Sequence, residues 1–146
     1  MGADPDRPGG THTAQVPPNC DLTLGMVCLD KASPGRSVWR MVADERFANP
    51  VGIVQGGFLV AFADSAMGAA ALTWARDRAE GARVRAANAE VKASFLRPVQ
   101  VGGPLVCTAW VLGGGARTAF VEADVVDDGG HLVVRASSTY LVEPRG

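Results

Sequence analysis

Residues 49–79 read NPVGIVQGGFLVAFADSAMGAAALTWARDRA, and the rest of the chain is arranged around them. Gly56 and Gly57 open a run, residues 58–75, that is apolar and rich in small side chains. Its length and composition are those of a buried helix. One carboxylate, Asp64, lies in the middle, and no other charge occurs between Arg46 and Arg76. Aspartate has low helix propensity, and this one is too far past the Gly pair to act as an N-cap. In apolar surroundings it is costly unless it is paired, solvated in a cleft or used. Asp64 therefore reads in two ways. It is satisfied by an arginine such as Arg46 or by backbone N–H groups, or it faces a cleft as a general base toward water or as a nucleophile.

Beyond the helix, Arg76 and Arg78 suit a C-terminal turn, and Gly81 suits the stop. Upstream, residues 1–20 are polar with Pro and Gly punctuation and read as a disordered or loosely held tail. Residues 21–30, DLTLGMVCLD, read as a first strand with Leu22, Leu24, Met26 and Cys28 on one face, although Gly25 weakens it. Ser33–Arg36 turns the chain into a second strand over 37–44, and residues 45–53 form the loop that delivers the chain to the helix. Downstream, strands are expected over 83–96, 104–112, 116–126 and 131–142. In the first of these, Ala89, Val91, Ala93 and Phe95 alternate against Asn88, Glu90, Lys92 and Ser94. Gly-rich turns separate the strands, and DDGG at 127–130 is a strong hairpin signal. The sum is an α+β domain over residues 21–143, a six-stranded antiparallel sheet with one apolar helix against it. One helix covers one face of such a sheet, so a dimer or larger assembly is expected.

The totals exclude several functions. A net charge of −1 and a pI near 6.1 argue against nucleic-acid binding and against a polybasic membrane-surface protein. The apolar run is near the lower limit for a membrane span, but it carries Asp64 and is followed by strands able to cover it. The N-terminus lacks the apolar core of a signal peptide, and a cytoplasmic location is expected. Cys20, Cys28 and Cys107 are odd in number and form no C-x-x-C pair, which fits free thiols in a reducing compartment. His12 lies in the tail and His131 in a turn, so neither pairs locally with a cysteine. No His/Cys/Asp/Glu cluster has ligand spacing, and no metal or cofactor is expected.

The Gly pair is turn punctuation or something more. Amides at a helix start are unpaired and carry the positive end of the dipole, so they can hold a developing oxyanion. Asn49 before Pro50 is turn chemistry or a group that orients a water or carbonyl, and Gln55 is a solvated side chain or a similar orienting group. Asn88 on the strand after the helix is an exposed strand residue or a third such group.

The pattern N-x-x-G-x-x-x-G-G-x-L-x-x-x-x-D-x-x-x-G is formed by Asn49, Gly52, Gly56, Gly57, Leu59, Asp64 and Gly68. A second block is Phe95-Leu96-Arg97-Pro98-Val99 with Gly102. Together, over residues 21–142, they resemble the hotdog-fold acyl-CoA thioesterases, and within them the phenylacetate-pathway (PaaI-type) subgroup. The resemblance implies a long helix wrapped by the sheet, edge-to-edge dimers that often pair into homotetramers, and active sites at the dimer interface. It implies Asp64 as the catalytic carboxylate, Gly56 with Gly57 as donors to the thioester carbonyl, and Asn49 as a positioning group. Asn88 stands where the family often has Ser or Thr, and Gly68 and Arg97 join it on the substrate side. Arg97 and Arg83 are candidate contacts for the CoA phosphates. Gln55 departs from the family, which commonly has His there, and it cannot shuttle a proton near neutral pH. The expected reaction is hydrolysis of an acyl-CoA or acyl-carrier thioester. The alternatives are a non-catalytic acyl-thioester binding protein of the same fold and, ranked lower, a hotdog hydratase or dehydratase.

Overall fold

The computed structural model describes residues 19–144. The tail expected over residues 1–20 lies, except for its last two residues, outside the described part. The elements are α1 (Cys20–Leu24), β1 (Val27–Asp30), β2 (Arg36–Val42), α2 (Gly56–Arg78), β3 (Val84–Phe95), β4 (Pro104–Gly114), β5 (Thr118–Val126) and β6 (Leu132–Pro144). The strands form one antiparallel sheet in the order β1-β2-β4-β5-β6-β3. The sheet curls around α2, which is the hotdog arrangement the resemblance implies.

The 23 residues of α2 are long and apolar enough to cross a membrane, but the sheet packs against them. Leu59, Phe62, Ala63, Ala66, Met67, Ala70, Ala71 and Ala75 are buried in the core against Met41, Leu105, Val121, Val125, Val133 and Val134. The alanines keep the helix thin, so the sheet approaches its backbone closely. Ser37 of β2, fully buried, donates from Oγ to the Ala66 carbonyl at 2.6 Å. The helix ends in a Schellman motif, with Gly81 N–H bonded to the Arg76 carbonyl and Glu80 N–H to that of Asp77. Glu80, at φ 52°, takes the left-handed position, and the expected stop at Gly81 follows it at φ 83°.

Two expectations need correction. The first strand does not begin at Asp21. Asn19 caps a short helix by accepting from Leu22 N–H at 3.1 Å, and Gly25 ends it in the left-handed region at φ 69°. Leu22 is consequently exposed while Leu24 and Met26 are buried, so the four apolar residues do not share a strand face. The second correction concerns β3. A bulge between Asn88 and Glu90 leaves Ala89 without a partner on β6. The extra residue reverses the alternation. Ala86 and Asn88 face the helix before the bulge, and Ala93 and Phe95 face it afterwards. Simple alternation had set Asn88 on the face opposite Phe95.

The downstream hairpins follow the sequence reading. Gly130 takes φ 78°, and the Asp127 carboxylate accepts from the N–H groups of Gly129 and His131 at 3.0 and 2.9 Å. At the β4–β5 turn, a Cβ on Gly114 would lie 2.1 Å from the Thr118 carbonyl oxygen, so only glycine fits there.

Candidate active site

The loop before α2 is clamped on both sides. Glu45–Phe47 form a 3-10 turn capped by Asp44. Phe47 is buried and stacks on Phe58 of α2, with centroids 4.4 Å apart and planes at 15°. Gln55 N–H bonds to the Phe47 carbonyl at 2.8 Å, and Val54 N–H to the Val99 carbonyl at 2.9 Å. Within the loop, Asn49 Oδ1 accepts from Val51 and Ile53 N–H at 3.1 and 3.2 Å. Asn49 thus shapes the loop with its carbonyl, and its amide nitrogen has no partner among the described residues.

Gln55 is the N-cap residue of α2, exposed, and its side chain makes no capping bond. Gly56 and Gly57 are the first two helical residues, and their N–H groups lie beyond the reach of intrahelical acceptors. Neither has a protein acceptor among the described residues. Gly57 is open, whereas a Cβ on Gly56 would come within 2.9 Å of the Phe95 ring of β3. The helix therefore starts with two amides that have no acceptor among the described residues, with the Phe95 ring beside Gly56.

Two turns further along α2, Asp64 is half-buried. Arg46 is not its partner, since that guanidinium is committed to Asp44 at 3.0 Å. The contacts to Asp64 are made by neutral groups on the two strands that cross the helix there. Asn88 Nδ2 of β3 donates to Asp64 Oδ1 at 2.6 Å. The Tyr140 hydroxyl of β6 lies within donor distance of the same Oδ1 and of the Asp64 backbone carbonyl, 2.8 Å away. Ser138 Oγ lies 2.8 Å from Asn88 Oδ1 and 2.6 Å from the Glu90 carbonyl, with one O–H to donate between them, and the acceptor-only Asp64 carboxylate turns the NH2 end of the Asn88 amide toward itself. Asp64 Oδ2 has no partner among the described residues. Burial, and then the Asp64 contact, hold the Tyr140 phenol well above its ordinary range, so it stays a donor.

The sequence-read residues thus fall into two groups on one helix. Asn49, Gln55, Gly56 and Gly57 gather at its start, while Asp64 and Asn88 meet two turns later. Gly68 lies under the Tyr140 ring, 3.6 Å from where its Cβ would be. Arg97 and Arg83 are exposed and make no ion pair among the described residues. Sequence reading missed Tyr140 and Ser138. The available signal was that Tyr140 is the only tyrosine of the chain and lies on the buried face of a strand, where a phenol hydroxyl needs a partner.

A helix-borne carboxylate held by neutral donors, with free amides at the start of the same helix, is suited to activating water beside a polarised carbonyl. Comparison with known proteins gives the family. The sequence model of the thioesterase superfamily matches residues 51–134, more than half of the chain. The chain belongs to the thioesterase superfamily. Human acyl-coenzyme A thioesterase 13 is 28% identical to this thioesterase over 122 residues, covering 83% of each chain. The crystal structure of a phenylacetic acid degradation-related protein of Ralstonia eutropha JMP134 is 30% identical, with a TM-score of 0.69 over 83% of this chain and 87% of that one. The PaaI protein of E. coli shares the fold at 23% identity and a TM-score of 0.75, covering 87% and 84% of the two chains. The thioesterase is therefore of the PaaI type, as its glycine and aspartate pattern implies.

Proposed function

We propose that this thioesterase hydrolyses acyl-CoA, with Asp64 as general base and the Gly56 and Gly57 amides as the oxyanion site. The observation that carries the reading is Asp64 itself, a half-buried carboxylate on the core helix that, among the described residues, contacts only neutral donors and has no partner at Oδ2. Oδ2 takes a proton from water as the water oxygen bonds to the thioester carbon. The carbonyl electrons move onto oxygen, toward the helix amides. Collapse of the adduct breaks the C–S bond, and the proton passes from Asp64 to the departing sulfur, giving acid and thiol. The names of the curated relatives support CoA as the thiol carrier.

A second copy completes the site in this reading. Positions 56 and 64 are about 12 Å apart along the axis, while each catalytic contact spans about 3 Å. β3 forms one edge of the sheet, with Val91, Phe95 and Leu96 38, 52 and 53% exposed. Along it, Asn88 stands beside Asp64 and Phe95 beside Gly56. Two β3 edges paired antiparallel about a two-fold axis bring the Asn88 end of one to the Phe95 end of the other. Asp64 of one protomer then approaches the partner's Gly56. Homodimers fit this edge, and the pairing of such dimers into tetramers is what the family resemblance implies. A reducing, cytoplasmic setting suits free Cys20, Cys28 and Cys107. Asn49, Gln55, Gly68 and the exposed Arg97 and Arg83 would line the approach of the substrate.

The test is thiol release over a panel of acyl-CoAs and acyl-carrier thioesters, by the parent and by Asp64→Ala. The parent cleaves at least one acyl-CoA, and the variant loses about 100-fold or more in kcat. Cleavage of carrier thioesters alone would replace CoA as the substrate. A parent that cleaves none would leave the non-catalytic binding protein as the reading.

A further inference from the structure

The network around Asp64 carries one step more. Both side-chain donors that reach this carboxylate, Asn88 Nδ2 and the Tyr140 hydroxyl, converge on the same oxygen, Oδ1. They come from adjacent, directly paired residues on β3 and β6, so a single rung of the sheet supplies both. Behind them, Ser138 Oγ lies 2.8 Å from Asn88 Oδ1, and Tyr140 is 3% exposed. A carboxylate held at one oxygen by two donors from a rigid sheet has little torsional freedom, and its other oxygen is aimed by default.

We propose that Tyr140 and Asn88 are positioning residues that lock Asp64 through Oδ1 and leave Oδ2 as the oxygen that takes the proton from water. This rests on the reading of Asp64 as the base. It also moves Asn88 from the substrate side of the site to the support of the carboxylate, with Tyr140 as the buried half of the clamp.

Two measurements test it, one of them independent of turnover. Tyr140 is the only tyrosine, so the tyrosine doublet of the Raman spectrum at neutral pH reports the hydrogen bonding of its hydroxyl alone. The groups around the phenol among the described residues are Asp64 on α2, Asn88 across on β3, Ala119 across on β5 and Ser138 on its own strand, and of these only Asp64 is charged. In Asp64→Asn the doublet should report a weaker donor than in the parent, with circular dichroism confirming that both remain folded. An unchanged doublet would overturn the contact. In the second measurement, Tyr140→Phe keeps the ring over Gly68 and removes only the hydroxyl. Its kcat should fall about tenfold, with KM within about twofold and the melting temperature nearly unchanged. Asn88→Ala should repeat that split. A full kcat in Tyr140→Phe would overturn the clamp, and a rise in KM alone would make Tyr140 a substrate contact instead. A parent with no thioesterase activity, combined with a shifted tyrosine doublet in Asp64→Asn, would sink the base assignment and the positioning role with it while leaving the contact intact.

Discussion

In the proposed mechanism Asp64 and Gly56 divide the chemistry at the scale of single residues, and Gly56 can lose its amide without a change in the core. Gly56 is the first residue of α2, and Gln55 before it is extended at φ −61° and ψ 131°. Proline is favoured at that helical position, and its predecessor has the backbone that proline requires. Gly56→Pro therefore deletes the amide donor and retains the helix start. The new ring meets Phe95, which is half-exposed and able to swing aside. Stability should change by no more than about 1 kcal/mol, while kcat falls by about 100-fold, the usual effect of losing an oxyanion donor. Denaturant titration and steady-state kinetics on one preparation check both halves. Gln55 offers a contrast. It is exposed, lacks a capping bond and cannot titrate, and His131 is held at the β5–β6 turn by Asp127. In Gln55→His an ionisation near the ordinary histidine value of about 6.5 should appear in the pH dependence of kcat/KM, where the parent shows none.

At the scale of elements, α2 both builds the core and positions the site. Phe62 is fully buried in the first half of the helix, two residues before Asp64. Phe62→Ala should cost about 3–5 kcal/mol in an equilibrium unfolding experiment. This helix was legible in the sequence because its apolar run is long and bounded by a Gly pair and an arginine-rich end. The last three strands were legible through period-2 alternation and Gly-rich turns. The β3 bulge was not, because one unpaired alanine leaves no mark on composition, yet it turns both Asn88 and Phe95 toward the helix. Tyr140 meets Asp64 from 76 residues away, a contact set by the register of β6 and by no local pattern. Asn49 was legible as a polar residue of the loop, but its carbonyl is occupied in folding that loop. The short α1 was hidden because its Leu22 and Leu24 run on with Met26 and Cys28 in a strand-like alternation. Its cap at Asn19 and its stop at Gly25 were the better signals.

At the scale of the whole molecule, the sheet buries a thiol whose ionisation opposes folding. Cys107 is fully buried in β4, and burial, with Asp124 nearby, pushes its thiol from 9.0 up to about 12. The unfolded thiol ionises above its ordinary value while the folded one stays neutral. The stabilisation is therefore complete below about pH 9 and is lost as pH rises toward 12. Over that window, Cys107→Ala should show a stability slope shallower by roughly 1.4 kcal/mol per pH unit. The same sheet ends in the exposed β3 edge, and a site shared between protomers requires that edge to pair with a copy of itself. The most direct test mixes two inactive variants, Asp64→Ala and Gly56→Pro, after subunit exchange. If each site takes its carboxylate from one protomer and its amide from the partner, half of the sites in a mixed dimer are intact. Random exchange should then restore about a quarter of the parent thioesterase activity. A mixture no more active than its two components would contradict a site shared between protomers.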